Sequence, residues 1–450
     1  MSMVIKKENL GKYIWAAGAG LLCYSAVKII ANESFFWAAV PALPLLAYLA
    51  IKRPFVFPFG AYVFLIPFDA ILSITGHETG TTLTKILGIL TMLGLLLKGS
   101  FEKRFVRADK TVICWTFLSL LAISSVLWAL DPEQVMIKIP TILGLLAFYL
   151  VVSFYGTTEK EWSALKTAAL LGGFFAALLS IYDYYSGNFF GMDTQRATLM
   201  FGTRETNPNN LGFCMLIPSA ICMEILSSGK KFNWEKPVYI LMLAVLLFCV
   251  IVTGSRETLL AIGIIFAVFV LSSKRKLTLG LVLITVSVPL AFLMLQFLTE
   301  RWQNAFSTGG AGRFNIWRVG IKAFGSFWTT GAGLENFPIA YTRFVDYAPG
   351  FSGFFRASHN IYLGLAVELG LAGIVLLFWG FKRHYALIRS NRDPGGKDKI
   401  MLTAVFWGML AQSFFGDFFW DKPIWLLWMM VIIYHNVQKS PVNGKRVFRQ

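Results

Sequence analysis

The chain has 450 residues, 56% of them apolar and 14% charged, with a mean hydropathy of +0.63. That is more apolar side chain than one soluble domain of this length can bury, which excludes an ordinary cytosolic globular protein. At roughly 20 apolar residues per bilayer crossing it corresponds to about a dozen membrane helices, so the expected fold class is an all-α polytopic membrane protein.

Apolar runs fall at 13–30, 35–51, 54–73, 82–97, 111–130, 136–155, 163–182, 208–226, 237–253, 257–272, 277–298, 358–380, 400–416 and 421–436. Several are shorter than a crossing requires, so the expectation is 12–14 transmembrane helices: fourteen if every run crosses, twelve where two of them form a re-entrant pair. The start, MSMVIKKENLGKY, leads into the first run with no small-residue cleavage site, and reads as a retained helix. The chain divides into N-terminal helices over 1–182, central helices with external loops over 183–298, a large loop over 299–357, C-terminal helices over 358–437 and a polar tail over 438–450. Cys23, Cys114, Cys214, Cys222 and Cys249 all sit inside apolar runs, with no CxxC, so neither a disulfide framework nor a zinc site is indicated.

The formal net charge of +17 raises a nucleic-acid partner, and the placement of the charges removes it. With the N-terminus in the cytoplasm, the segments KKENLGK, IKRP, KGSFEKRFVRADK, TTEKEW, SSGKKFNWEK, SSKRK, FKRHYALIRSNRDPGGKDK and QKSPVNGKRVFRQ all fall inside. They carry most of the basic residues, and an even helix number leaves both termini cytoplasmic; membrane lipids, and no nucleic acid, account for the charge. The external basic residues are mainly arginine: Arg196, Arg204, Arg256, Arg301, Arg313, Arg318, Arg343 and Arg356. Guanidinium is the permanently charged, bidentate partner of phosphate, so the outer face is expected to bind phosphate.

Two external segments exceed a short turn, 183–207 and 299–357. Within the second, Phe314, Trp317, Ile321 and Phe324 recur at helical spacing with Arg318 and Lys322 on another face, as in an amphipathic helix on a membrane surface. His359 follows this loop at the outer start of a helix, three residues after Arg356. It is open to two readings: a bystander in a helix cap made by Ser358 or Asn360, or a base titrating near neutrality. Arg256, after Gly254 and Ser255 in a tight turn, is either an interfacial anchor or a phosphate ligand at a helix N-terminus, and Arg313 has the same two readings. Arg204 and Arg196 have no fixed geometry; Asn207, Asn209 and Asn210 around Pro208 start a helix or bind sugar hydroxyls. Tyr347, Phe351, Phe354 and Phe355 stack on sugar or dip into lipid. Glu368 is an acid inside a membrane helix, turned about 900° and ~13 Å from His359, so it does not orient the imidazole and needs an internal partner such as Lys138 or Lys85. Asp-x-Asp is absent and the external acids are scattered, so no metal is expected.

The string His359-Asn360 followed after nine residues by Gly370-Leu371-Ala372-Gly373 resembles the His-Asn and Gly-x-x-Gly pattern of the bacterial O-antigen ligase/polymerase superfamily. Ser255-Arg256-Glu257 stands where that family has a Ser-Arg-Gly-like turn, with Glu in place of the usual Gly, and Gly312-Arg313 running to Trp317 resembles its periplasmic Gly-Arg-x-x-x-Trp segment.

The resemblance implies a multi-pass protein of the bacterial inner membrane with its large loop and active site facing the periplasm. It implies metal-independent, cofactor-free, inverting transfer of glycan from an undecaprenyl-diphosphate-linked donor to an acceptor hydroxyl, either on lipid A core, as in a ligase, or on another glycan, as in a polymerase. His359 is carried over as the base and Arg256 and Arg313 as diphosphate ligands. Arg204 is a further diphosphate candidate, and Arg196, Arg356, Asn207, Asn360 and Trp317 are candidate substrate contacts. A transporter of lipid-linked sugar is the alternative from another class, but it would need charges lining the bilayer centre, where only Lys85, Lys138, Glu224 and Glu368 are available.

Overall fold

The computed structural model describes residues 43–439 apart from 74–81, 192–194, 228–234, 274–275, 297–298, 301–302, 304–311, 349–352 and 391–395. The first apolar run, the polar tail from residue 440 on, Cys23, Lys28, His77, Arg301 and Phe351 lie outside the described residues. What is described is helical: α1 (Leu43–Lys52), α2 (Phe59–Leu65), α3 (Leu83–Glu102), α4 (Thr111–Ser124), α5 (Pro132–Phe154), α6 (Glu159–Tyr185), α7 (Pro208–Cys214), α8 (Leu216–Leu226), α9 (Glu235–Val252), α10 (Arg256–Ser272), α11 (Lys276–Leu293), α12 (Arg313–Phe327), α13 (Phe337–Arg343), α14 (Ile361–Ser390), α15 (Lys397–Gln412) and α16 (Lys422–Lys439). The described strands are β1 (Met200–Phe201) and β2 (Arg204–Glu205), an antiparallel hairpin. By length and composition, α3, α5, α6, α14 and the joined span Pro208–Leu226 can each cross a membrane. The protein is an all-α polytopic membrane protein.

The helices begin where side chains can satisfy their free N–H groups. Thr82 caps α3, Asp131 precedes Pro132 at the head of α5, and Thr158 and Glu161 form a capping box on α6. The run 54–73 departs from expectation: its helix ends at Leu65 and closes in a 3₁₀ turn over Ile66–Phe68, too short for a full crossing.

Polar side chains sort to two ends. At one, Glu161 takes both Arg104 guanidinium nitrogens (2.9 and 2.6 Å) and Lys98 (3.0 Å), Lys166 joins Glu224 and Asp398 (2.8 and 2.6 Å), and Arg383 meets Asp109 (3.1 Å). At the other, Lys422 pairs with Asp69, Lys138 with Glu335 (2.7 Å) and Arg313 with Glu257 (3.2 Å). Each of these pairs joins two segments that the alternation of loops places on one side. A bilayer core offers no water to unpaired polar groups, which makes this segregation the physical requirement for a spanning bundle. Lys138 thus binds Glu335, whereas the Glu368 carboxylate accepts the backbone N–H of Phe337 (3.3 Å), a hydrogen-bonding partner in place of Lys138.

The large loop is tied to α14 by backbone–backbone hydrogen bonds as well as by the Glu368 carboxylate. Gly370 (φ 64°, ψ −160°) breaks the helical path inside α14. Around the break, Ala332 N–H donates to Val367, Gly333 N–H to Glu368, and Leu371 N–H to the Trp328 carbonyl (2.8–2.9 Å). A Cβ on Gly370 would stand 2.6 Å from the Thr329 carbonyl oxygen. This docking sets α12 against α14 through Ile316, Val319, Gly320 and Ala323, which are buried. The helix therefore has two apolar faces, not one: in the stripe expected from sequence, Phe314 and Ile321 remain exposed while Trp317 and Phe324 are half-buried. Gly370→Ala, forced into a region open essentially to glycine, is expected to destabilise the protein by about 1–3 kcal/mol. Gly144→Ala, in open space on α5, should be neutral or stabilising by up to ~1 kcal/mol. Thermal unfolding in detergent checks both, and equal midpoints for the two variants would refute the strain assignment.

Candidate active site

The end that carries Arg313 gathers the segment 356–360, the turn 253–257 before α10, the first turn of α12 and the turn 413–417 after α15. The centre is the stretch Ser358-His359-Asn360 leading into α14. Asn360 is the helix cap: its Oδ1 accepts the N–H groups of Tyr362 and Leu363, both at 3.0 Å. His359 adopts a left-handed conformation (φ 47°), held there by Asp417. That carboxylate accepts the hydroxyl of Ser358, the N–H of His359 (2.8 Å) and the N–H of Asn360 (3.3 Å). The Ser413 carbonyl takes the next N–H, of Ile361 (3.0 Å). With its backbone fixed on both sides, His359 is itself exposed. Crowding by surrounding protein pulls its pKa below the usual 6.5; Arg313 and Arg356 act in the same direction, against Asp417 and Glu257. At neutral pH the ring is therefore uncharged, the form that can accept a proton.

Arg256 and Arg313 each open a helix. Arg256 is the first residue of α10, after Gly254 (φ 60°) and Ser255, and Arg313 the first of α12, after Gly312 (φ 80°). Glu257 links them: adjacent to Arg256 in the chain, it places Oε1 3.2 Å from Nη2 of Arg313. The Arg313 guanidinium also lies over the Phe415 ring, 5.9 Å from its centroid. One turn on, Trp317 donates its indole N–H to the Ser358 carbonyl (3.0 Å) and packs beside Phe415 (6.1 Å). The arginine-bearing helix is thus hydrogen-bonded to the residue before the imidazole.

The remaining expected residues are placed as follows. Arg196 donates to the Thr253 carbonyl (2.7 Å) and to Asn209 Oδ1 (2.5 Å), bracing the turn that presents Arg256. The Asn207 side chain accepts the Asn209 N–H (2.9 Å) as the cap of α7. Arg204, in the β1–β2 hairpin, donates to the Ser73 carbonyl and is not among the charges acting on the imidazole. Arg356 is exposed and is among them. Two cavities, of about 390 Å³ beside Lys166 on α6 and 470 Å³ between α4 and α14, lie away from this group. Asp417 and Phe415 were not singled out from sequence; the available signal was an acid in a short external turn, where an isolated carboxylate needs donors. Asp417→Ala removes the acceptor of the His359 N–H and one of two acceptors for each of its neighbours, since the Asn360 N–H also reaches Ser358 Oγ (3.1 Å) and the Ser358 hydroxyl the Asn360 carbonyl (2.8 Å). It should cost on the order of 1–3 kcal/mol and accelerate amide hydrogen exchange at 358–360; unchanged exchange there would remove Asp417 as the anchor.

Residues 241–378, from α9 through the large loop into α14, match the O-antigen ligase family. No curated protein matches the chain. The matched segment contains the turn with Arg256, the first turn of α12 and His359, and its match supports membership of the O-antigen ligase/polymerase superfamily.

Proposed function

We propose that the protein transfers glycan from an undecaprenyl-diphosphate-linked donor to an acceptor hydroxyl at the periplasmic face of the bacterial inner membrane. The observation that carries this is the convergence of one neutral imidazole and helix-terminal arginines at a single end of the bundle, inside the family-matched segment. His359 takes the proton of the acceptor hydroxyl as its oxygen attacks the anomeric carbon. The bond from that carbon to the diphosphate oxygen breaks with inversion, and the diphosphate leaves on its lipid. Arg256 and Arg313 offer guanidinium forks and helix N-termini to the charge growing on the leaving group. Arg356 sits at the rim on the side of the imidazole. Asp417 works through the backbone of His359, and Trp317 through that of Ser358; both position rather than react.

The acceptor is lipid A core in the favoured reading, as in a ligase; the alternative is a second lipid-linked repeat unit, as in a polymerase. Purified protein given only lipid-linked repeat unit makes a ladder if it polymerises; a ligase makes product only once lipid A core is added. Failure to consume the donor in either mixture would overturn glycosyl transfer itself.

Two outcomes test the base. His359→Ala is expected to lower transfer by about 10²–10⁴ while the protein stays folded in the membrane; near wild-type turnover would exclude the assignment. Because the folded-state pKa is lowered, the neutral ring persists below pH 6.5 and is lost only as the pH falls through that lowered value. The acid limb of kcat/KM should therefore lie below 6.5 and move upward in Arg313→Ala, which removes a cation that disfavours the charged ring. A limb above 6.5 in the wild type would show that another group titrates.

A further inference from the structure

We infer that Glu257 is a fixed counter-charge that weakens the hold of Arg313 on the released polyprenyl diphosphate, so that the spent carrier can leave. This rests on Arg313 being a diphosphate ligand. The Glu257 side chain is only 4% exposed and sits in the first turn of α10, where the free N–H groups of the helix favour a negative charge. Its contact with Arg313 is single, Oε1 to Nη2 at 3.2 Å. A guanidinium has five N–H donors, so this one contact does not exhaust the fork, although the Arg313 side chain is only 15% exposed. The carboxylate is therefore a resident negative charge within the cation's reach, not a cap that uses it up.

The need for such a charge follows from the leaving group. A glycosyl diphosphate diester gains negative charge when its sugar bond breaks, so cations arranged to stabilise the departing group bind the product more tightly than the donor. A carboxylate beside Arg313 repels both, and repels the more highly charged product more. Glu257 is a positioning and charge-setting residue; it touches neither reacting atom.

The experiment is equilibrium binding of undecaprenyl diphosphate to the full-length protein in detergent. Glu257→Gln keeps the size and the hydrogen-bond acceptor but loses the charge, and should bind about tenfold tighter or more. Glu257→Asp, which restores the charge, should return affinity toward wild type. A prop that merely held Arg313 in place would give the opposite sign, so unchanged or weaker binding by Glu257→Gln, with a wild-type elution profile on size exclusion, overturns the inference. Arg313→Ala separates the two levels. If it binds like wild type, the diphosphate assignment fails and the inference with it; if it binds weakly while Glu257→Gln is unchanged, only the role of Glu257 fails.

Discussion

A single carboxylate holds the centre of the candidate site in register. Asp417 collects the donors of Ser358, His359 and Asn360, and three bonds to consecutive residues leave the backbone between them little freedom. The left-handed geometry of His359, uncommon for a residue with a Cβ, is stable because its neighbours on both sides are fixed. Everything else at the site is referred to that anchor: Asn360 caps α14 from it, Trp317 ties α12 to it, and Phe415, two residues before Asp417, lies under the Arg313 guanidinium.

The electrostatics follow from the same arrangement. Cations at two helix N-termini add to the partial positive charge of the helices themselves, a combination suited to phosphate. Arg313, at one of those termini, also opposes protonation of the imidazole, together with Arg356, so on the proposed reading the guanidinium that faces the leaving group also favours the neutral base. Glu257 and Asp417 keep this field from being wholly positive.

Much of the fold was legible because hydrocarbon imposes a simple rule: apolar runs long enough to span become helices, and the basic loops between them alternate sides. The polar pairs of the structure respect that alternation. His359, Arg256 and Arg313 stood out because short motifs carry them, and the family match covers the same stretch. What could not be read were contacts made across the chain. Asp417 lies 58 residues from His359, and nothing in its local sequence says which donors it will meet. Lys138 was a plausible partner for Glu368 from burial alone, yet pairs with Glu335, because the loop bearing Glu335 folds over α5. The second face of α12 escaped notice for a related reason: the large apolar residues drew attention, while Gly320 and Ala323 allow the close approach to α14.

The interruption at Gly370 has a mechanical meaning. Where an unbroken helix would have spent its carbonyls on itself, α14 lends those of Val367 and Glu368 to the strand-like segment 332–333, and takes the Trp328 carbonyl in return. Soluble overlay and bilayer-crossing rod are thereby stitched into one stiff body. At the opposite hem of that body α12 meets the head of α10 through the Arg313–Glu257 ion pair, and among the described residues no backbone hydrogen bond stitches the two together there.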